Sequence, residues 1–367
     1  MEDSEFDKES SIMIKSICSF FITIAIILVS ENILALDIDE KINDIISPIS
    51  DTVVAIVFFS IKISDNISIP LIVVWLIIAA VFCTVYFGFV NIRHFGTAIK
   101  IINNKNIESK APGEVSHRQA FWTACAATVG LGNIAGVAIA VSLGGPGATF
   151  WMILAGILGM SLKFCECTLG VKYRVINEDG SVSGGPMYYL SAGLKEIGLA
   201  NLGKYLAIFF SICCIGGALG GGNMFQANQS FQQFLNITGG ESSFFSDKAW
   251  LYGLVMALLL GAVIIGGIKS IAKVTEKIVP FMAAIYVGAS LIIILMHFSD
   301  IGSVIGKIIS GAFTPEAGLG GFIGVLIIGF KRAAFSNEAG VGSASIAHSA
   351  AKTKEPVSEG MVALLEP

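Results

Sequence analysis

The stretch ATVGLGNIAG, residues 127–136, sits inside an apolar run over 118–143, and its reading decides the fold. Its glycines at 130, 132 and 136 each lower helix propensity by roughly 1 kcal/mol relative to alanine. Thr128 and Asn133 carry side chains that compete for backbone hydrogen bonds, so the helix can open there. An opened helix at mid-membrane leaves N–H and C=O groups without partners, a cost tolerated only where something else binds them. The N-terminus of a half-helix suits a carboxylate, and freed carbonyls suit a sodium ion. A competing reading keeps the helix whole and makes Gly132 and Gly136 a small-xxx-small packing face. One glycine-rich segment does not separate the two.

A second interruption does. GFKRAAFSNEAGVGSAS, residues 329–345, breaks another apolar run with Ser336, Asn337 and Glu338, followed by Gly340 and Gly342. Five spans begin between 118 and 319, and an odd number of crossings sets the second broken segment in the opposite orientation. A five-span unit repeated upside down, each copy starting on a broken helix, is an inverted-repeat transporter architecture with its site between the breaks. Lys331, Arg332 and Glu338 are costly in hydrocarbon and are expected to face the protein interior, a cavity or each other.

Composition supports a bilayer. Of 367 residues 54% are hydrophobic and only 14% charged, against about 25% charged in a soluble domain, and the mean hydropathy is +0.79. The net charge of -4, with no long basic run, argues against nucleic acid as a partner. The seven cysteines, at 18, 83, 125, 165, 167, 213 and 214, lie in apolar stretches and read as core residues rather than disulfides or zinc ligands. Runs approaching the roughly 20 residues that cross a bilayer fall at 12–35, 69–90, 118–143, 148–171, 204–236, 250–268, 274–297 and 319–350. Residues 49–63 are apolar but short, and are expected to form an interfacial or re-entrant helix. The first run follows an acidic leader with no small-residue cleavage site, which favours a retained anchor over a secretory signal. Basic residues stay cytoplasmic. Arg93, Lys100, Lys105, Lys110 and Arg118 crowd one loop, Lys172 and Arg174 a second, Lys269, Lys273 and Lys277 a third, and Lys352 and Lys354 follow the last span. Asp37, Asp39, Glu40, Asp44, Glu241 and Asp247 mark the other side, so the N-terminus is expected in the cytoplasm.

Other polar residues are candidates too. In GGALGGGNMFQANQSFQQ, residues 216–233, Asn223, Gln226 and Gln229 recur at three-residue steps and share a helix face. Gln226 is a candidate for touching substrate, whereas Gln229 and Gln233 suit bonds between helices. Lys163 and Glu166, three apart, are expected to pair or to snorkel at the cytoplasmic end. Cys165 and Cys167 point to different faces. The histidines at 94, 117, 297 and 348 lack ligand spacing, so metal catalysis is not expected. GLANLGK, residues 198–204, imitates a phosphate-binding loop, but Tyr205 stands where a serine or threonine is required and no strand precedes it. An intramembrane enzyme would need paired acids, a Ser-Lys dyad or converging histidines, and none is visible.

At ATVGLGNIAG, LGGPGATFWM, SGGPMYYL, GGGNMFQANQ, GGIKSIAKVTEKIVPFM and FSNEAGVGSASIAHSAAKT the sequence resembles the alanine or glycine:cation symporter family of bacterial sodium:alanine symporters, from about residue 45 onward. The resemblance implies an all-α integral membrane protein with the leucine-transporter type of inverted-repeat fold, and sodium-coupled movement of alanine or glycine across the inner membrane. It implies that Thr128, Gly130, Gly132, Asn133, Gln226, Phe335, Ser336 and Asn337 surround the amino acid, with sodium on carbonyls around Ala127 and Gly130. The division expected on this basis is an extra apolar segment over 1–40, an interfacial segment, first helix and basic loop over 41–117, a first five-helix repeat over 118–297, and the start of a second repeat over 298–367.

Two features depart from the family pattern: residues 1–40 lie outside it, and EGMVALLEP opens an apolar run where the second repeat would continue. The expectation is a half-carrier that does not transport sodium-coupled substrate alone. Alternative readings are a proton-coupled carrier or channel using Glu166 or Glu338, and an inert remnant of a carrier.

Overall fold

A computed structural model describes residues 34–64, 67–104, 111–313 and 321–367. They belong to two units, residues 1–60 and 61–367. The first unit contributes α1 (Leu34–Val57), a single helix with Pro48 in its interior. The polar loop expected around Asp37, Asp39, Glu40 and Asp44 is part of this helix. The helix expected over 49–63 stops at Val57, and β1 (Ser60–Ser64) pairs with β2 (Ile67–Pro70). The run expected at 12–35 lies outside the described residues apart from its last two positions, as do Cys18, Lys105 and Lys110.

In the second unit α2 (Leu71–Tyr86) starts at Pro70, which has no N–H to give and preorganises a helix start. After α3 (Phe95–Asn103), Ser116 and Gln119 form a reciprocal cap: the Ser116 hydroxyl accepts from Gln119 N–H at 3.2 Å, and Gln119 Oε1 accepts from Ser116 N–H at 3.1 Å. That cap launches α4 (His117–Thr128), which gives way to α5 (Leu131–Gly144). The rest are α6 (Gly147–Lys172), the β3–β4 hairpin (Val175–Ile176, Val182–Ser183), α7 (Pro186–Glu196), α8 (Ala200–Gly217), a π-helical turn (Ala218–Met224) and α9 (Phe225–Ile237). Then follow α10 (Ala249–Ile264), α11 (Gly267–Met296), α12 (Ile301–Phe313), α13 (Gly321–Asn337), α14 (Ala344–Ser349) and α15 (Pro356–Ala363). The hairpin, α7, α12 and α15 were not expected; each is too short to register as a span.

Among the described residues four segments are long and apolar enough to cross a membrane: His117–Gly144, Gly147–Lys172, Ala200–Ile237 and Gly267–Met296. α2 and α10 are apolar but shorter, at 16 residues each. α6 packs against α2, α5, α7, α12, α13, α14 and α15. Trp151 on it donates Nε1–H to the Ala312 carbonyl at 3.1 Å, within a core of Val73, Ala148, Val325 and Phe330 drawn from α2, α6 and α13. Ala124, Cys167, Ala344 and Ala363 form a second core that joins α4, α6, α14 and α15. Cys125 and Cys167 are buried as expected, whereas Cys213 faces outward.

At one end a clasp gathers three chain segments. Arg174 donates from Nη1 to the carbonyls of Ser349 and Ala351 at 2.7 and 2.6 Å, and from Nη2 to those of Pro112 and Thr353 at 2.8 and 2.7 Å. Val115 and Ala351 form a parallel bridge beside it. Arg174→Lys keeps the charge but not the fork, so at least one charge-assisted bond, about 1.5–3 kcal/mol, is expected to be lost. A lower thermal midpoint of the purified protein, with helix content unchanged at 20 °C as the working temperature, is the expected readout.

Candidate functional site

Both interruptions read from the sequence are present. α4 ends when Val129 N–H donates to Cys125 O at 2.7 Å, after which Val129 (φ -87°, ψ 94°) and Gly130 (φ -161°, ψ -145°) run extended. Asn133 then folds back, and its Oδ1 accepts the Gly130 N–H at 3.1 Å. The amide side chain therefore substitutes for a helical acceptor at the opening. The Gly130 carbonyl accepts from the N–H groups of Asn133 and Ile134 at 3.1 and 3.3 Å.

The second break follows Asn337. Glu338 lies in the left-handed region (φ 53°), as do Gly340 (φ 90°) and Gly342 (φ 89°), so the chain turns tightly before α14. Its backbone is held from outside: Gly340 N–H donates to Glu166 Oε1 at 2.6 Å, and Ser343 Oγ donates to Glu338 Oε2. Glu166 thus serves the second break and is not the partner of Lys163. Lys163 pairs instead with Glu366 at 3.1 Å, fully buried, which overturns both the i,i+3 pair and the snorkelling expected of it. An i,i+3 spacing makes a pair feasible, but a buried unwound N–H is the stronger claimant on a carboxylate. Lys331 is exposed, and Arg332 and Glu338 are half-buried.

The breaks touch. A Cβ placed on Gly132 would lie 2.6 Å from Ser336 Cα, so only glycine permits this approach. The amide of Gln226 lies 3.6 Å from the Cβ position of Gly130, and the Phe335 ring packs edge-on to Phe225 at 6.3 Å between centroids. Gly130, Gly132, Gln226, Phe335 and Ser336 are therefore neighbours. Other expected residues are engaged elsewhere: Thr128 Oγ1 donates to its own helix at Ala124 O (3.2 Å), and Asn337 Oδ1 accepts from Ala339 N–H (3.0 Å) against Gly159 of α6. Ala127 and Asn223 are exposed, and Gln229 is half-buried with its amide on Asn228.

Sequence reading missed the π-turn before Gln226, closed by Phe225 N–H on Gly220 O. Such turns frequently mark functional sites. It also missed His117 and His348, which share the carboxylate of Glu359. An apolar groove of about 350 Å³ beside Val137, Met152 and Pro367 is separate from the breaks.

Long apolar helices, one of them parted by extended backbone at Val129–Gly130, define a multi-pass α-helical membrane protein. The chain belongs to the Sodium:alanine symporter family, which it matches over residues 52–367. It is 43% identical over 296 residues to the sodium/alanine symporter AgcS of Methanococcus maripaludis, covering 80% of this chain and 63% of that protein. It is 41% identical over 288 residues to an uncharacterized transporter of Haemophilus influenzae (77% and 60% covered). It is 33% identical over 293 residues to the probable sodium/glutamine symporter GlnT of Bacillus subtilis (80% and 58% covered). These relatives and the family are transporters, not enzymes, and the chain spans about three fifths of the length of the three.

Proposed function

We propose that the chain forms the substrate-binding part of a sodium-coupled symporter for a small neutral amino acid, alanine or glycine, in the cytoplasmic (inner) membrane. The observation that carries this reading is the backbone contact of the two breaks at Gly132 and Ser336, with Gln226 beside Gly130. At the N-terminus of α5 the first amides have no intrahelical acceptor, so those of Leu131 and Gly132 suit the substrate carboxylate. Gln226 and the carbonyls near Ser336 suit its ammonium. Sodium would take carbonyls around Ala127 and Gly130. Thr128, Asn133 and Asn337 then shape the backbone from behind, while Phe335 closes the apolar side.

The leucine-transporter type of inverted repeat, with a first five-helix unit over 118–297 and a second beginning at 298, is the architecture this reading implies. The gathering at one end of Arg174, the 111–116 and 349–353 segments, and Lys269, which lies 3.7 Å from Glu114, supports a single cytoplasmic face for the basic loops; a cytoplasmic N-terminus is part of the same proposal. Purified protein titrated with alanine in the presence and absence of sodium tests the proposal. Heat of binding to alanine or glycine that disappears when potassium replaces sodium is expected, whereas sodium-independent binding, or binding of glutamine alone, refutes it.

Asn133→Ala removes the acceptor that holds Gly130 N–H, and the expected result is alanine affinity weaker by tenfold or more, equivalent to about 1.4 kcal/mol. The same titration checks it.

A further inference from the structure

Away from the breaks, five ionisable side chains from four elements and the segment after α15 meet in one buried cluster. His117 opens α4, Lys163 lies on α6, His348 on α14 and Glu359 on α15, and Glu366 follows. Their exposures are 5%, 0%, 0%, 0% and 7%. Glu359 is shared by two histidines: Oε2 contacts His117 Nδ1, and Oε1 lies 2.6 Å from His348 Nδ1. Glu366 is likewise shared, with Oε1 on His348 Nε2 and Oε2 at 3.1 Å from Lys163 Nζ.

The two rings are not equivalent. His117 Nε2 is buried without a hydrogen-bond partner, so this ring needs only one proton, on Nδ1, to donate to Glu359. Both nitrogens of His348 face carboxylate oxygens. A neutral imidazole has one N–H and one lone pair, so in that form one of these contacts would set a lone pair against a carboxylate. Both contacts are satisfied when one more proton is present. On the ring, that proton gives two positive groups, Lys163 and His348, against two negative ones, Glu359 and Glu366, the arrangement a low-dielectric interior penalises least.

We infer that this cluster is a proton-binding site, in which His348, held between Glu359 and Glu366, keeps one proton at neutral and mildly alkaline pH and so locks the second broken helix to the first. The lock runs from α14 through His348 and Glu359 to His117 at the start of α4. Around it, Glu166, one turn from Lys163 on α6, is bonded to Gly340 N–H, and the thiols of Cys125 and Cys167 are buried neighbours. On α3, which packs against α15, Lys100 is exposed; on α11, which packs against α4, Glu276 is engaged by Arg118 at 3.8 Å. Loss of the proton leaves the cluster one negative charge in excess and breaks one of the two contacts of His348.

The test is ring-nitrogen NMR of the full chain, labelled with 15N in its four histidines and purified in detergent at pH 8. A free histidine, with its usual value of about 6.5, is almost wholly neutral there. One ring of the four with both nitrogens protonated is expected, and its signal should vanish in His348→Gln. Four neutral rings in the folded wild type overturn the inference, whatever the variants do. Thermal unfolding supplies a second measurement. His348→Gln should lower the midpoint, and adding Glu366→Gln, which restores charge balance, should raise it again. A double variant no more stable than His348→Gln also overturns it.

Discussion

Exchange of Lys163 for methionine is expected to destabilise the protein by about 3–5 kcal/mol, the usual effect of stranding one member of a buried ion pair. Lys163 and Glu366 are both fully enclosed at 3.1 Å, and with the ammonium gone the cluster, in which only His348 still contacts Glu366, is left one negative charge in excess. Methionine matches the length and apolar stem of lysine, which keeps cavity formation small and isolates the charge effect. The measurement is the unfolding midpoint in detergent for Lys163→Met, Glu366→Gln and the double variant. The double variant is expected to recover most of the loss, since neither member is then left charged and alone. Strictly additive losses would show that packing, not charge, governs the position.

The second large effect is expected at Gly132. An alanine methyl there would lie 2.6 Å from Ser336 Cα and 3.2 Å from its Cβ, distances that force two stretches of backbone apart. The same substitution at Gly136 meets nothing closer than Leu131 O at 3.7 Å. Gly132→Ala is therefore expected to weaken alanine binding at least tenfold, about 1.4 kcal/mol, while Gly136→Ala binds normally with helix propensity improved. Titration of both variants decides the matter. Equal and small effects would restore the reading in which these two glycines are a simple helix-packing pair.

That contrast shows how much of the site the sequence carried. Glycine spacing and Asn133 placed the first break within residues 127–136, and Ser336-Asn337-Glu338 placed the second, because helix-opening residues act on their own backbone. The meeting of Gly132 with Ser336 was implied only through the repeat argument. What local spacing could not carry is choice among distant partners. Lys163 and Glu166 stand at a pairing distance on one helix, yet each finds a better partner elsewhere, an ammonium reaching Glu366 and a carboxylate reaching the Gly340 amide. His117 and His348 share no motif, and only the packing of α4, α14 and α15 brings them to one carboxylate. Short elements were also missed: α12 and α15, with 13 and 8 residues, fall below the roughly 20 residues that register as a span. The Ser116–Gln119 cap was a readable signal, since Ser-x-x-Gln before an apolar run marks a helix start.

The π-turn at Ala218–Met224 carries one residue more than an α-helix would use for the same advance. The wide turn absorbs that surplus in place, so the helix after it keeps nearly the phase of an uninterrupted one. Deleting any one residue of Gly220-Gly221-Gly222 would let α8 and α9 fuse into a regular helix with its ladder intact, and Gln226 would keep nearly its present direction. Hydrophobic length, backbone bonding and the aim of the amide would all survive, so such a shortened chain would still insert and fold. The extra glycine is therefore spare to the architecture, and what it adds is the widened turn just ahead of Gln226.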